Sequence, residues 1–237
     1  MLLSLICSEQ TGLALFYTLL LIGHHADVQR RLHQEIDDWD QRDSGPESEE
    51  RWNKDGDDEE LVLKTTTYLD AVIRESLRMF PPVSRIARKM NQEVTIRGSV
   101  SGLEYVLPEG TTVTIDIFQI QRDPAVFPDS DTFDPDRFWK QPGTLTTEKK
   151  VFMPFSLGPR SCIGSKFAMM ELKVFLIKVL RKFTIASRTP IHDLNLAVEI
   201  VLKPNNTDID ILFTERVARE RKEQMTSDQR MLSKGLF

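Results

Sequence analysis

Cysteine is nearly absent: the chain of 237 residues holds only Cys7 and Cys162. Two thiols so far apart argue against a disulfide framework and fit a reducing compartment. They also leave Cys162 without the close Cys or His neighbours that a zinc site requires. No long apolar run is present either. The N-terminal stretch Met1–Gly23 is apolar, but Ser8, Glu9 and Gln10 interrupt it, and the run after Thr11 is about half of the ~20 residues a membrane span needs. No basic segment precedes it as in a signal peptide. It reads as a buried core helix, with an aberrant anchor as the alternative. A basic stripe with interleaved aromatics is missing as well, which argues against nucleic-acid binding.

The net charge of −5 is not spread over the chain. Twelve acidic and three basic residues fall between Asp37 and Glu60, so that stretch alone carries −9 and the remainder is net positive. With its Gly-Pro and Asp-Gly steps, 37–60 is expected to be an acidic surface loop.

The densest local pattern is Phe155–Gly164, F-S-L-G-P-R-S-C-I-G. Gly158 and Gly164 permit a tight turn, and Pro159 stiffens it. Immediately beyond, Phe167, Met170, Val174, Ile177 and Leu180 recur at three and four, predicting a helix with those residues on one face. Cys162 is thereby presented at the mouth of a helix, where free N–H groups and the positive dipole end favour a thiolate over a thiol. Such a sulfur can ligate a metal, attack a substrate or simply pack.

Other elements follow from periodicity. Leu2–Ile22 reads as a helix apolar nearly all round, and a second helix starts near Ala26 with Val28, Leu32 and Ile36 on its inner side. Tyr68–Phe80 is a helix stopped by Pro81-Pro82, with Glu75 and Arg78 three apart and therefore on one face. Thr112–Ile117 alternates as a strand, and shorter alternations occur at Phe183–Ala186, Ala197–Leu202 and Ile209–Phe213. Mainly helix with small β-sheets is the expected class. One partial domain is expected over 1–213, with a charged tail over 214–237.

The string F-x-x-G-x-R-x-C-x-G, carried by Phe155, Gly158, Arg160, Cys162 and Gly164, resembles the heme-binding loop of the cytochrome P450 family, the heme-thiolate monooxygenases. Two further motifs stand in that family's order: Glu75-x-x-Arg78 before F-P-P, and F-D-P-D-R-F at Phe133–Phe138. The resemblance covers about Ser4 to Phe213 and corresponds to the C-terminal half of the family's fold. It implies heme b (iron protoporphyrin IX) as cofactor, with Cys162 as axial ligand of the iron. It implies Phe155, Gly158, Arg160 and Gly164 as the surrounding cradle, and Arg85 on a heme propionate. Glu75, Arg78 and Arg137 would form a buried structural network.

Along the first helix the same comparison aligns Ile6–Thr11 with the family's A-G-x-(D/E)-T-(T/S). Glu9 and Thr11 fit and become the expected oxygen-activation and proton-delivery residues. Cys7 replaces the small glycine, and Gln10, a poor proton relay, replaces the first threonine. Relatives usually carry histidine where Gln121 precedes Arg122-Asp123-Pro124.

The implied activity is hydroxylation of an apolar small molecule, a sterol, fatty acid or xenobiotic. Dioxygen would be used, with electrons from an NADPH-dependent reductase docking near Lys166 and Lys173. The implied location is the cytosolic face of the endoplasmic reticulum membrane, although the chain shows no clear anchor and a cytosolic location stays open. A second reading, motivated by Cys7, Gln10 and the absent first half, is a non-catalytic remnant that binds heme weakly or not at all and acts through protein association.

Overall fold

The structure, a computed structural model, describes residues 2–42, 67–98, 101–139, 151–198, 201–205 and 208–216. Its organising element is α1 (Leu2–His24), whose inner half carries Tyr17, Leu20, Leu21 and Ile22, all fully buried. That half is apolar nearly all round and has no face to give to water, so neighbours surround it. These are α2 (Ala26–Arg42), α3 (Thr67–Met79), α6 (Ser165–Lys182) and strand β5 (Phe183–Ser187). No helix among the described residues is long and apolar enough to cross a membrane.

The remaining elements are short. Strands β1 (Arg85–Lys89), β2 (Val94–Arg97), β3 (Glu104–Leu107) and β4 (Thr112–Asp116) lead to the one-turn helix α4 (Ile117–Ile120). Helix α5 (Asp136–Trp139) precedes the cysteine loop, and β6 (Leu196–Val198), β7 (Leu202–Pro204) and β8 (Ile211–Glu215) follow β5. Each strand has one antiparallel partner: β1 with β4, β2 with β3, β5 with β8 and β6 with β7. The mainly helical class with small sheets is thus observed.

Buried polar groups tie these pieces together. Gln29 on α2 uses its amide like a strand neighbour: Nε2 donates to the Ile185 carbonyl at 2.7 Å, and Oε1 accepts from the Ile185 amide at 2.6 Å. The Tyr17 hydroxyl donates to the Leu202 carbonyl at 3.0 Å, and its ring stacks on Phe80. The Glu35 carboxylate accepts from the amides of Tyr68 and Leu69 at 3.0 Å each, satisfying free N–H groups at the start of α3.

Several boundaries differ from the sequence expectation. Residues 37–42 of the acidic stretch belong to α2, because Trp39 on that last turn is buried beneath the guanidinium of Arg181; residues 43–60 lie outside the described ones. Thr214 and Glu215 are not tail but the end of β8, paired with Thr184 and Phe183, and Arg216 is held by two bonds to Asp37. Residues 217–237 lie outside the described ones. Of Ala197–Leu202, Ala197 and Val198 belong to β6 and Leu202 to its antiparallel partner β7, and residues 199 and 200 lie outside the described ones. On α6 the buried face is Leu172, Leu176, Ile177 and Leu180, whereas Phe167 is exposed. A periodic apolar set continued one turn too far toward the cysteine, where no neighbour among the described residues covers Phe167.

Candidate functional site

The cysteine loop is shaped by backbone hydrogen bonds rather than by regular structure. The Ser156 amide donates to the Met153 carbonyl at 2.9 Å, and the Cys162 amide donates to the Phe155 carbonyl at 2.9 Å. A single 3₁₀ turn, Gly158–Arg160, fills the span between. Gly158 has φ +75°, a region open to glycine at little steric cost. Ser156 adopts φ 62° without that exemption, a left-handed position that side chains seldom take. The outcome is a free, exposed thiol three residues ahead of α6. At Gly164 a Cβ would come within 3.9 Å of the sulfur, so the glycine leaves that flank of Sγ open.

Cys162 forms part of the wall of a cleft of about 570 Å³. That lies inside the roughly 300–1,000 Å³ of small-molecule and cofactor sites. Phe155, Arg160 and Gly164 line the cleft on the same side, with Phe167, Ala168 and Leu172 of α6. Gln10, Thr11 and Ala14 of α1 also face it, as do Leu77 of α3 and Ile117 of α4. Gly158 is not a lining residue; its part is to turn the loop. The side chain of Cys7 lies outside the described ones.

Two expected site residues sit elsewhere. Arg85 does not line the cleft: half exposed, it pairs outward with Asp116 at 2.8 Å across the β1–β4 ladder. Strand alternation explains this, since Ile86 and Arg88 share the opposite face of β1 and both line the cleft. Arg88 is therefore the strand's cation at the site. Glu9 likewise does not line the cleft; it is exposed and ion-paired with Lys203 beside β7. Successive positions on a helix point about 100° apart, so the turn that brings Gln10 and Thr11 to the cleft carries Glu9 away from it. Lys173 is another correction, buried and paired with Asp70 at 2.7 Å rather than displayed for a partner.

Behind the cleft, α3 is buried on nearly every side, so its polar pair cannot be a surface ion pair. Arg78 donates through Nε to Glu75 Oε2 at 2.7 Å and through Nη2 to Oε1 at 2.9 Å, with both side chains fully buried. Its remaining donors reach the Gln121 and Thr132 carbonyls at 3.1 and 3.3 Å. Glu75 Oε1 also accepts from the Asp134 amide at 3.0 Å. Arg137 Nε stands 3.4 Å from that oxygen, near enough for charge attraction but not aligned as a hydrogen bond, and its Nη2 donates to the Asp129 carbonyl at 2.9 Å. Glu75, Arg78 and Arg137 thus meet in space. Burial pushes the Glu75 carboxyl up, and the bonds and charge of Arg78, the Asp134 amide and the Arg137 charge hold part of that back. Arg122 stacks 3.8 Å above the Phe118 ring, and burial with the nearby Arg78 charge lowers it to about 10.

The cytochrome P450 family model matches residues 7–211, most of the chain and all of this constellation. The chain belongs to the cytochrome P450 family. Among curated relatives of this cytochrome P450 chain, the probable cytochrome P450 4ac1 of Drosophila melanogaster is 36% identical over 210 residues, which are 88% of this chain and 37% of that protein. Cytochrome P450 4V2 of Rattus norvegicus is 36% identical over 198 residues (84% of this chain, 34% of that protein), and that of Homo sapiens is 34% identical over 213 (90% and 37%). The chain spans about a third of the length of these relatives.

The family's cofactor is heme b, and the cleft can be tested against it. The described residues contain no cluster of three or more His, Cys, Asp or Glu side chains able to hold a bare metal ion. A single soft sulfur is, however, the donor set that suits an iron already held by a porphyrin. Apolar walls for the macrocycle and two guanidinium groups, Arg88 and Arg160, for its carboxylates complete the match. The residues present fit heme. Neither Arg88 nor Gln121 was identified as a site residue from sequence alone. The alternation of Ile86 with Arg88 was the available signal for the first, and the second had none beyond standing where histidine is usual.

Proposed function

We propose that this chain forms the thiolate-bearing part of a heme-thiolate monooxygenase acting on an apolar small molecule. The observation that carries it is the free Cys162 thiol on the wall of a cleft shared with α1. Heme, when bound, supplies the reductive activation of dioxygen, chemistry that no side chain provides. Cys162 would hold the group through its thiolate, an electron-rich ligand that favours O–O cleavage. Arg88 and Arg160 would bind its carboxylates. Leu77, Val83, Ile86, Ile117 and Phe155 give an apolar lining that excludes water and suits a substrate of the sterol, fatty-acid or xenobiotic kind. On the α1 wall the Thr11 hydroxyl can hold and pass a proton, and the Gln10 amide can orient a polar group but not relay one.

An NADPH-dependent reductase is the electron donor in this reading, with Lys166, exposed at the start of α6, available to it and Lys173 not. Work at the cytosolic face of the endoplasmic reticulum membrane completes the proposal.

The test is an absorbance spectrum of the purified chain with hemin, reduced and exposed to carbon monoxide. A strongly red-shifted Soret band that Cys162→Ala abolishes supports the reading; no such band, or one indifferent to the substitution, overturns it. The pairing of Glu9 with Lys203, away from the cleft, favours a second reading: a heme-binding chain that does not activate oxygen. A thiolate band without turnover of any apolar substrate would select it.

A further inference from the structure

Gln121 is polar, uncharged and fully buried, at the end of the one-turn helix α4. Both ends of its side-chain amide are used, and they reach two different parts of the site's support. Nε2 donates to the carbonyls of Leu77 and Arg78 at 3.0 and 3.1 Å, in the last turn of α3. Oε1 accepts from the Met153 amide at 2.8 Å, just ahead of the cysteine loop. Its own carbonyl accepts from Arg78 Nη1, the guanidinium that also holds Glu75.

From Met153 the chain of bonds continues to the sulfur-bearing residue. The Met153 carbonyl accepts from Ser156, next to Phe155, and the Phe155 carbonyl accepts from Cys162. The loop between has a positive-φ serine and one 3₁₀ turn but no ladder of its own. Its position relative to α3 therefore depends on side-chain anchors. Gln121 supplies one that crosses from the buried pair to the loop.

We propose that Gln121 is a positioning residue for the Cys162 thiolate: it fastens the start of the cysteine loop to the end of α3 and so transmits the Glu75–Arg78 lock to the iron ligand. The inference rests on Cys162 being that ligand, but its structural half can be read without heme. Removing the amide frees the part-buried Met153 N–H and leaves two α3 carbonyls without this donor at a buried position.

The experiment compares wild type with Gln121→Leu and Gln121→Glu. The first readout is amide hydrogen exchange of the chain without heme. In Gln121→Leu the protection of the Met153 and Cys162 amides is expected to fall about tenfold, with amides of α1 and α6 within about twofold of wild type. Gln121→Glu separates positioning from mere space-filling, since a protonated carboxylic acid keeps one donor and one acceptor, whereas a carboxylate turns an acceptor oxygen, in place of the Nε2 donor, toward the Leu77 and Arg78 carbonyls. Its loop protection is expected to be near wild type in acid and to fall as pH rises, a profile that wild type lacks.

The second readout is the reduced carbon monoxide spectrum with hemin, where the red-shifted thiolate band should shrink in Gln121→Leu and follow the same pH profile in Gln121→Glu. Unchanged loop protection in Gln121→Leu overturns the proposal, and so does equal loss at every amide, which would make Gln121 simply part of the core. If wild type itself shows no thiolate band, the heme reading fails, and the exchange data still decide whether Gln121 anchors the loop.

Discussion

Arg78→Met is the perturbation that probes the buried network most directly. The substitution removes two bonds to Glu75 and the donors to the Gln121 and Thr132 carbonyls, at a site with no solvent to replace them. Breaking a buried pair by deleting one partner costs about 3–5 kcal/mol, chiefly because the other charge is left in the interior. Against the roughly 5–15 kcal/mol that hold a domain together, the midpoint of urea unfolding, followed by helical circular dichroism, should move far to lower denaturant.

Two controls make the reasoning refutable. Adding Glu75→Gln to Arg78→Met removes the stranded carboxylate, so the double variant is expected to be more stable than the single one. The pH dependence has a definite sign. Burial already holds folded Glu75 above its ordinary 4.5, and losing Arg78 removes the strongest opposing influence. A carboxyl raised in the folded state contributes stability that is present below its unfolded value and lost as pH rises through the folded one. The deficit of Arg78→Met should therefore grow as pH climbs from about 4.5 toward neutrality, and that of the double variant should not. A single-variant loss under about 1 kcal/mol, the scale of an exposed pair, would refute the argument. A double variant no better than the single would do the same.

Further outcomes are expected. Gly158→Ala should lower stability by about 1–2 kcal/mol with an unchanged denaturant slope, because φ is +75° and a Cβ there meets nothing within 4 Å, so the whole cost is backbone. In hemin titrations Arg88→Ala should weaken binding several-fold, whereas Arg85→Ala, which removes only the outward pair with Asp116, should leave affinity unchanged. His33 is held below its ordinary 6.5 by burial first and the Arg216 charge second, against Asp37 and a backbone bond at Phe183. Stability from a depressed group is present above the unfolded value and lost as pH falls through the folded one. The thermal midpoint of wild type should thus drop more steeply below about pH 6.5 than that of His33→Gln.

The local signals in the chain decided a good deal. Apolar periodicity placed α1, α3 and α6 within a few residues, because a helix that must bury a face writes that need into its spacing. The Cys162 loop was legible because a turn with positive φ demands glycine, and the Phe155–Gly164 string is long. Glu75 and Arg78 could be put on one face from their separation of three. What the sequence could not supply is what that face meets. Whether a pair three apart is solvated or sealed depends on how many neighbours pack against its helix, and α3 is enclosed on nearly all sides.

The same limit governed the cleft. Arg85 and Arg88 are both cations on one short strand, and only the pairing of β1 with β4 and its place on the wall of the cleft turned Arg88 inward and Arg85 toward Asp116. Glu9 reads as an acid near the site until Lys203, 194 positions away, is folded beside it. Gln121 is an ordinary glutamine in the sequence and a four-way junction in the fold. Helices, turns and the thiol loop are set by neighbours along the chain, which one sequence displays; burial, charge pairing and the aim of each side chain are set by contacts between distant segments, and those exist only once the tertiary structure has formed.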